Sequence, residues 1–346
     1  MNPALGPAPK PAAVGSGGSL VGEGRDTWSL NNSRDPLSLT MTQHAPYPAD
    51  QELEALAKQL GASPEYRVLR RLKPLDFEAQ EAPVGPTKRA LLIDVETTGL
   101  SYALDSIIEL GIILFTYDTS TGRVVQTLAA ESWLQDPGRP IPENIVKLTG
   151  INDDDVRGQH IDEQRVRELA TDVGLIIAHN AAFDRPFVDR RLPFLSEIHW
   201  GCSLSDVPWK TMNMQSLKLE FLLYAHAHTF LDTHHRALDD CRATLHILTT
   251  PFPDATLPMQ HLRKNCGTPR VRIAATRSHF DTKDALRQRG YSWSGDNGKP
   301  PKTWCREILQ SELDAELQWM QEQIYVTHPG QPTTENVNLR KRYSGM

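Results

Sequence analysis

The stretch LLIDVETTGL, residues 91–100, constrains the fold most, because it joins an apolar run directly to two carboxylates. The apolar residues 91–93 predict a strand buried in a sheet. Asp94 and Glu96 follow two residues apart, so in an extended chain both side chains project from the same face. Two desolvated carboxylates repel each other, and a cation between them would turn that cost into binding energy. A solvated strand end is the alternative, and only further acids can decide.

Length and composition limit the class of protein. The 346 residues suffice for one domain of about 200 residues and a smaller one. The sequence contains no run of 18 apolar residues, so no membrane helix is predicted. The N-terminus lacks the basic and apolar regions of a secretory signal. A cytoplasmic protein without a membrane partner is therefore expected. The four cysteines are too widely spaced for a C-x-x-C metal site, and reduced thiols are expected.

Composition shifts along the chain predict five segments. A Pro-, Gly- and Ser-rich start predicts a disordered tail, and leucines at helical spacing predict a short helix after it. The predicted segments are a disordered tail at 1–48, a short helical segment and linker at 49–87, a catalytic domain at 88–252, a small basic accessory domain at 265–327, and a flexible tail at 328–346.

The pattern of apolar runs predicts an α/β fold for the larger domain. Three apolar runs joined by short turns over 89–134 predict an antiparallel meander. From residue 142 helical and strand patterns alternate, which adds strands connected through helices. The prediction is a mixed sheet with helices against its faces. The accessory segment mixes strand and helix patterns and is predicted to be a small α+β domain.

Two more acidic positions support the cation interpretation. Asp184 falls on the first turn of a helix after the apolar strand GLIIAHN. Asp240 lies near the start of the helix that is predicted within the stretch HRALDDCRATLHIL. His235 precedes that helix and is placed in a loop. Oxygen ligands that meet at strand ends are those that Mg²⁺ or Mn²⁺ prefers. A nearby imidazole adds a group that can take a proton near neutral pH.

These motifs together resemble the DEDDh (DnaQ-like) 3′-5′ exonuclease family, which includes the proofreading epsilon subunit of bacterial DNA polymerase III. The resemblance covers about residues 88–250, and the motifs occur in the family's order. They are IDVETTGL with Asp94 and Glu96, LTGI at 148–151, AHNAAFD with Asp184, and HRALDD with His235 and Asp240.

The resemblance implies a ribonuclease H-like fold, a mixed five-stranded sheet flanked by helices. It also implies two divalent cations, Mg²⁺ or Mn²⁺, with His235 as the general base. The implied metal ligands, which with His235 make up the catalytic set, are Asp94, Glu96, Asp184 and Asp240. Asp239 is interpreted as an acid that interacts with the helix N-terminus.

The same match implies contacts with the substrate. The backbone of Thr97 and Gly99 would contact the terminal nucleotide, and Leu100 would wedge against its base. Thr149, Asn180 and Phe183 would line the path of the strand. The alternative is turn chemistry for Thr97 and Gly99 and core packing for Leu100 and Phe183.

The function expected from the resemblance is metal-dependent 3′-5′ hydrolysis of DNA, in proofreading or repair. Expected partners are single-stranded DNA or DNA 3′ ends, with RNA as a further substrate, and a DNA polymerase or repair protein. One alternative is an exoribonuclease of the same fold. Another is a nucleic-acid-binding or polymerase-adaptor protein without turnover.

Charge separates the two domains. Residues 90–250 hold 13 basic and 23 acidic residues, a net charge of −10, whereas residues 261–308 hold 11 basic and 4 acidic residues, a net charge of +7. Basic residues interleaved with aromatic ones suit single-stranded nucleic acid. The predicted phosphate contacts are Arg287, Arg289, Lys299 and Lys302. For the aromatic residues Phe280 and Trp293, packing in the core of the small domain is favoured.

Overall fold

The computed structural model describes residues 50–72, 82–232, 235–294, 302–326 and 330–344. The predicted disordered tail at 1–48 lies outside them, as does Lys299. The chain divides into the units Met1–Lys58 and Gln59–Met346. In the described residues, no helix is long and apolar enough to cross a bilayer.

The strands of the described chain belong to three sheets. They are β1 (Arg70–Arg71), β2 (Thr87–Thr97), β3 (Ile107–Asp118), β4 (Val124–Leu134), β5 (Val173–Ala178), β6 (His199–Cys202), β7 (Thr229–Phe230), β8 (Arg270–Ala274), β9 (Ser292–Trp293), β10 (Trp304–Leu309) and β11 (Thr333–Asn336). The smallest sheet pairs β1 with β7 in parallel.

The helices alternate with strands after β4, as the sequence pattern predicts. They are α1 (Asp50–Gly61), α2 (Glu143–Thr149), α3 (Asp153–Val156), α4 (Glu163–Leu169), α5 (Ala181–Arg191), α6 (Leu219–Leu222), α7 (Ala237–Thr249), α8 (Pro258–Cys266), α9 (Lys283–Arg289) and α10 (Leu313–Gln323).

The central sheet has the order β4-β3-β2-β5-β6. Strands β2, β3 and β4 form an antiparallel meander, and β5 and β6 run parallel to β2. This arrangement confirms the predicted ribonuclease H-like sheet of five mixed strands. The carboxyl ends of β2 and β5 therefore lie at the same edge, and the chain places Asp94 and Asp184 there.

Both faces of the central sheet are covered, which explains why its strands are apolar along nearly their whole length. Side chains alternate between the two faces, so Leu92 and Ile113 pack in one core while Leu91 and Ile112 pack in the other. Helix α7 covers the first face, and helices α4 and α5 cover the second.

A glycine lets α7 approach the sheet closely. Gly111 on β3 is the register partner of Asp94 on β2. A Cβ atom at Gly111 would lie 2.4 Å from the backbone carbon of Ala237, the first residue of α7. The missing side chain therefore allows the start of α7 to rest on the sheet beside Asp94.

The accessory unit forms a second sheet with the order β11-β8-β10-β9, packed against α9 and α10. Its core contains Val271, Ile273, Leu286, Ile308 and Met320. This matches the predicted small α+β domain. The fourth strand, β11, lies in the stretch predicted as a flexible tail. This part of the stretch is a strand because its backbone pairs antiparallel with β8.

A buried polar cluster joins the segment after β11 to the central domain. The side chains of Arg342 and Asp206 are 4% and 0% exposed and lie 2.6 Å apart. Arg185 on α5, which is also buried, donates hydrogen bonds to the carbonyl oxygens of Arg340 and Arg342. Desolvated charges need such partners, so ion pairs and hydrogen bonds hold this segment in place together with Tyr343, which packs against the core of the central sheet.

Candidate active site

One cleft at the carboxyl end of β2 contains most of the predicted site residues. Its floor is formed by Asp94, Glu96, Asp184, His235 and Asp240. Its walls include five of the six predicted substrate contacts, Thr97, Gly99, Leu100, Thr149 and Phe183. The wall also contains four residues that were not predicted from the sequence, Val95, Ile145, Leu148 and His179.

Three structural elements deliver the acids to the cleft. Asp94 and Glu96 share one face of β2, as their spacing predicts. Asp184 lies in the first turn of α5 and accepts a hydrogen bond of 3.2 Å from the backbone N–H of Val95. Asp240 lies in the first turn of α7. Carboxylates from β2, α5 and α7 therefore converge on one space.

His235 precedes α7 in a left-handed backbone conformation, with φ of 61°. Ligand atoms of Glu96, His235 and Asp240 all lie within 4.8 Å of one another. The backbone N–H of His235 donates a hydrogen bond to the Asp240 carboxylate. The loop conformation thus brings the imidazole to the acids, which a helical position would not do.

Crowding and desolvation raise the pKa values of the four carboxyl groups, because both disfavour the ionised form. Burial and then the neighbouring carboxylates raise the pKa of Asp94 well above its usual value. Burial is also the largest cause that raises the pKa of Glu96 to about 8 and of Asp184 to about 8. For Asp240, burial and then Asp239 raise the pKa to about 7.

The donor set fits divalent cations. Among the described residues, no lysine or arginine side chain lines the cleft, so four carboxylates meet with little positive charge of the protein's own. Carboxylate oxygens are the ligands that Mg²⁺ and Mn²⁺ prefer, and a bound cation would offset the repulsion that raises these pKa values. Asp94, Glu96, Asp184 and Asp240 could hold such ions.

The rim of the cleft is apolar and exposed. The side chains of Leu100 and Leu148 are 86% and 49% exposed. Gly99 keeps the Leu100 loop tight, because a Cβ atom there would lie 2.5 Å from a carboxylate oxygen of Asp105. Asp105 in turn accepts a hydrogen bond from the backbone N–H of Ser101. The loop is thereby fixed while Leu100 faces solvent, which suits contact with a flat apolar ligand group.

The threonine hydroxyls of the cleft are used within the protein. Thr97 Oγ1 donates a hydrogen bond of 2.7 Å to the carbonyl oxygen of Gly99. Thr149 Oγ1 donates to the carbonyl oxygen of Ile145 and accepts from the backbone N–H of Ile151. Both side chains therefore shape the wall, and the phenyl ring of Phe183 packs beside Phe187.

Two predicted residues lie at the margin of the site. Asn180 is the N-cap of α5, with φ of 71°, and of the predicted substrate contacts it is the one that does not line the described cleft. Asp239 accepts a hydrogen bond of 2.8 Å from Arg242 within α7. That ion pair, together with its first-turn position, agrees with the interpretation of Asp239 as an acid of the helix N-terminus.

His179 is a second histidine in the cleft wall, and its hydrogen bonds fix its protonation. Nε2 lies 2.9 Å from the carbonyl oxygen of Leu217, which can only accept, so Nε2 carries the hydrogen. Nδ1 then accepts from the Ser203 hydroxyl at 2.7 Å. Burial lowers the pKa of His179 to about 4. Both nitrogens are thus committed to the protein.

Glu109 was also missed by the sequence analysis, although it lies next to the acids. It is the register partner of Glu96 and is 1% exposed. Its carboxylate accepts hydrogen bonds from Arg236 Nε and Nη2, both of 3.0 Å, and from the Ala237 backbone N–H at 3.1 Å. An acid inside the apolar run SIIELGIILF is the signal that could have identified it.

The raised pKa values predict how the metal-free protein responds to pH. Glu96 and Asp184 titrate near pH 8 when folded, against about 4 in an unfolded chain. Their contribution to stability is fully present below the unfolded pKa and is lost as pH rises through the folded pKa. In EDTA, we expect Asp184→Asn to raise the melting temperature at pH 8–9 by about 2–4 °C, with a smaller effect toward pH 5.

Asp136→Asn provides the control of opposite sign, because hydrogen bonds from Gly158 and Gly138 lower the pKa of Asp136. That variant should lose stability at pH 8. Added Mg²⁺ should stabilise the wild type more than Asp184→Asn. A wild type that melts above Asp184→Asn in EDTA at pH 8–9 would contradict the repulsion argument.

Part of the chain is similar to a known protein family. Residues 91–248 match the model of the exonuclease family RNase_T. The DNA polymerase III PolC-type of Clostridium perfringens (strain 13 / Type A) is 32% identical over 167 residues, which is 47% of this chain and 11% of that protein. The PolC-type polymerase of Bacillus subtilis (strain 168) is 29% identical over 179 residues, with 48% and 11% covered.

Solved structures with some similarity include exonuclease X in complex with 5′-overhanging duplex DNA, at 26% identity, a TM-score of 0.33, and coverage of 45% of this chain and 89% of that one. They also include Escherichia coli exonuclease I with single-stranded DNA and zinc, at 18% identity, a TM-score of 0.43, and coverage of 64% and 63%. The chain spans about a tenth of the polymerase relatives. Residues 91–248, which hold most of the five-stranded sheet, are therefore similar to the exonuclease family.

Proposed function

We propose that the protein removes nucleotides from the 3′ end of DNA by metal-dependent hydrolysis of phosphodiester bonds. The observation that carries this proposal is the meeting of four carboxylates and one imidazole in a single cleft of an exonuclease-family domain. The proposed catalytic residues are Asp94, Glu96, Asp184, His235 and Asp240.

The four carboxylates are proposed to hold two divalent cations, Mg²⁺ or Mn²⁺. Bound cations would supply Lewis-acid activation of water and stabilise negative charge on the leaving 3′-oxygen. The protein fixes the donors beforehand. The Val95 N–H orients the Asp184 carboxylate, and the backbone N–H of His235 orients that of Asp240.

His235 is proposed to accept the proton of the attacking water at a ring nitrogen. Of the two histidines in the cleft, His179 has both nitrogens bonded within the protein, to Ser203 and Leu217. His235 lies beside Glu96 and Asp240, where a water attacking the phosphate would stand. The general base must be within hydrogen-bond reach of that water, and His235 satisfies this condition best.

The walls are proposed to hold the terminal nucleotide. Leu100, which is 86% exposed at the rim, would pack against the terminal base. The backbone at Thr97 and Gly99 would contact the sugar and phosphate, since the hydroxyl of Thr97 is already bonded to Gly99. Thr149 and Phe183 would line the path of the preceding nucleotide. Asn180 would contribute only if the strand extends beyond the described cleft.

The biological setting follows from the relatives. Those of the PolC type are named as DNA polymerases, so a role in replication or repair, with a polymerase as partner, is proposed for this chain. We propose that the reaction takes place in the cytoplasm. RNA is the alternative substrate, because carboxylate-bound cations and an imidazole would act on the phosphodiester group that DNA and RNA share.

The polarity of hydrolysis tests the proposal. Single-stranded DNA labelled at its 5′ end should give a ladder of products that shorten gradually, while DNA labelled at its 3′ end should release labelled mononucleotide at once. EDTA should stop both reactions, and Mg²⁺ or Mn²⁺ should restore them. The same assay with RNA of equal sequence measures the preference for sugar. Labelled mononucleotide released first from the 5′-labelled strand would refute the 3′-5′ direction.

The role of His235 makes a separate prediction. We expect His235→Ala to slow nucleotide release by about 10²-fold, the usual contribution of a positioned general base, with metal binding retained. Isothermal titration with Mn²⁺ measures that binding. A matched control is His160→Ala, which removes an exposed histidine of the same domain that does not line the cleft. Normal turnover with a collapsed metal affinity would identify His235 as a ligand instead.

Glu109 is proposed to position the catalytic groups of α7 without touching the substrate. Its carboxylate bonds to Arg236 and to the N–H of Ala237, which immediately follow His235. Asp240 is one turn further along the same helix. The buried anchor on β3 therefore fixes where both His235 and Asp240 stand relative to Glu96.

We expect Glu109→Gln to lower kcat about tenfold, because a neutral amide holds Arg236 more weakly and small displacements of catalytic groups are costly. KM should change little. Glu131→Gln is the matched control, since Glu131 on β4 pairs in the same way with Arg165, away from the cleft. A merely structural role would lower the melting temperature of both variants and leave kcat unchanged in each.

A further inference from the structure

The accessory unit lies outside the matched family segment, and its basic residues are divided by their contacts. Arg289 and Arg306 both pair with Glu316, at 3.1 and 3.2 Å, and Glu316 is 4% exposed. Arg270 lies 3.6 Å from the buried Asp206. Arg289 and Arg306 therefore stabilise the unit internally, and Arg270 links it to the central domain. Arg289, predicted from the sequence as a phosphate contact, is therefore assigned to the fold.

A different set of exposed and half-buried residues lies along α9 and the β9–β10 edge. We call it the aromatic–basic stripe, and it consists of Phe280, Lys283, Arg287, Trp304 and Trp293. Lys283 and Arg287 are four residues apart on α9 and so share one face. Lys283 Nζ lies 4.0 Å from the centre of the Phe280 ring, and the Arg287 guanidinium lies 5.7 Å from the centre of Trp304.

Two of the three aromatic rings of the stripe face solvent, and the third, Trp304, is half-buried. Phe280 is 73% exposed and Trp293 is 39% exposed, so the sequence-based expectation that both pack in the core is wrong. Trp293 contacts Trp304 edge to face, with ring centres 5.8 Å apart. The core contains Leu286 and Tyr291, and Trp304 packs partly against it.

The cations of the stripe are weakly engaged. Arg287 pairs with Asp284 at 3.5 Å, and both side chains are 68% exposed. Such exposed pairs contribute little, so a phosphate group can replace the carboxylate. Lys283 is held near Phe280, where it can neutralise charge beside a base stacked on that ring.

We propose that the aromatic–basic stripe binds single-stranded nucleic acid. Exposed rings supply stacking surfaces for bases, and the interleaved cations supply counter-charges for the phosphates. The proposal rests on the proposed exonuclease function, because the catalytic domain carries a net charge of −10 and needs another surface to hold a polyanion. An acidic protein could pair with the cations of the stripe, but such pairing would not explain why aromatic rings are exposed beside them.

Fluorescence anisotropy of a 5′-labelled oligothymidylate, measured with the full-length protein in EDTA, tests the stripe without hydrolysis. We expect Phe280→Ala to weaken binding about tenfold and Phe280→Trp to restore it, since stacking on an aromatic ring is lost and regained. The double variant Lys283→Gln/Arg287→Gln should reduce the salt slope of log Kd by about 1.4, which corresponds to two phosphate contacts on a single strand.

Lys210→Gln/Lys264→Gln is the charge-matched control, because it removes two exposed lysines outside the stripe. It should bind as the wild type does. Equal affinity and salt slope in the stripe variants, the control and the wild type would overturn the proposal. Weaker binding of a poly-glutamate peptide with unchanged oligonucleotide binding would overturn it in favour of an acidic partner.

The two proposals fail separately. If the wild type hydrolyses DNA from its 3′ end while the stripe variants bind as the control does, the stripe proposal fails and the exonuclease proposal stands. If the wild type hydrolyses nothing while Phe280→Ala weakens binding in EDTA, the exonuclease proposal fails and the stripe remains a binding surface. Thermal melts should show that Phe280→Ala is folded, because its ring is mostly exposed.

Discussion

Mutual repulsion among the carboxylates at the end of β2 is the constraint on which this structure depends. Asp94, Glu96, Asp184 and Asp240 are brought together where burial and neighbouring charge both oppose ionisation. In an unfolded chain these carboxylates would move apart into water. In the described cleft no lysine or arginine side chain compensates their charge. The surrounding fold must therefore lose stability to keep them close, and the proposed cations would offset that loss.

The scaffold meets this demand mainly at the contact between β3 and α7. Gly111 removes a side chain so that the helix can begin against the sheet, and Glu109 bonds to the first backbone N–H of that helix. Gly111, which permits the close approach, and Glu109, which anchors the helix, thus lie two residues apart on β3. The acids are consequently carried by rigid elements, while the exposed Leu100 sits on a loop that its own hydrogen bonds hold in shape.

Local pattern in the sequence predicted the antiparallel meander and the mixed sheet, and together with the family resemblance it selected the five acid and histidine positions that share the cleft. It failed where a residue's surroundings are set by distant parts of the chain. Glu109 pairs with Arg236, 127 residues away, and no spacing rule links them. Hydrophobicity predicted a buried Phe280, but the small core was already filled by other residues. The polar strand β11 has no apolar alternation, and it is ordered by pairing with β8.

The cluster around Arg185 has a consequence for the order in which the chain can fold during synthesis. The guanidinium on α5, next to Asp184, takes its partners from Arg340 and Arg342, which are made 155 and 157 residues later. Until they emerge from the ribosome, Arg185 has Asp189 and the Ser196 carbonyl as partners but lacks the later two, and Asp206 lacks Arg342. A nascent chain would thus contain all five strands of its central sheet before the last partners of α5 are made, so the surroundings of this helix are completed only after the accessory unit has been translated.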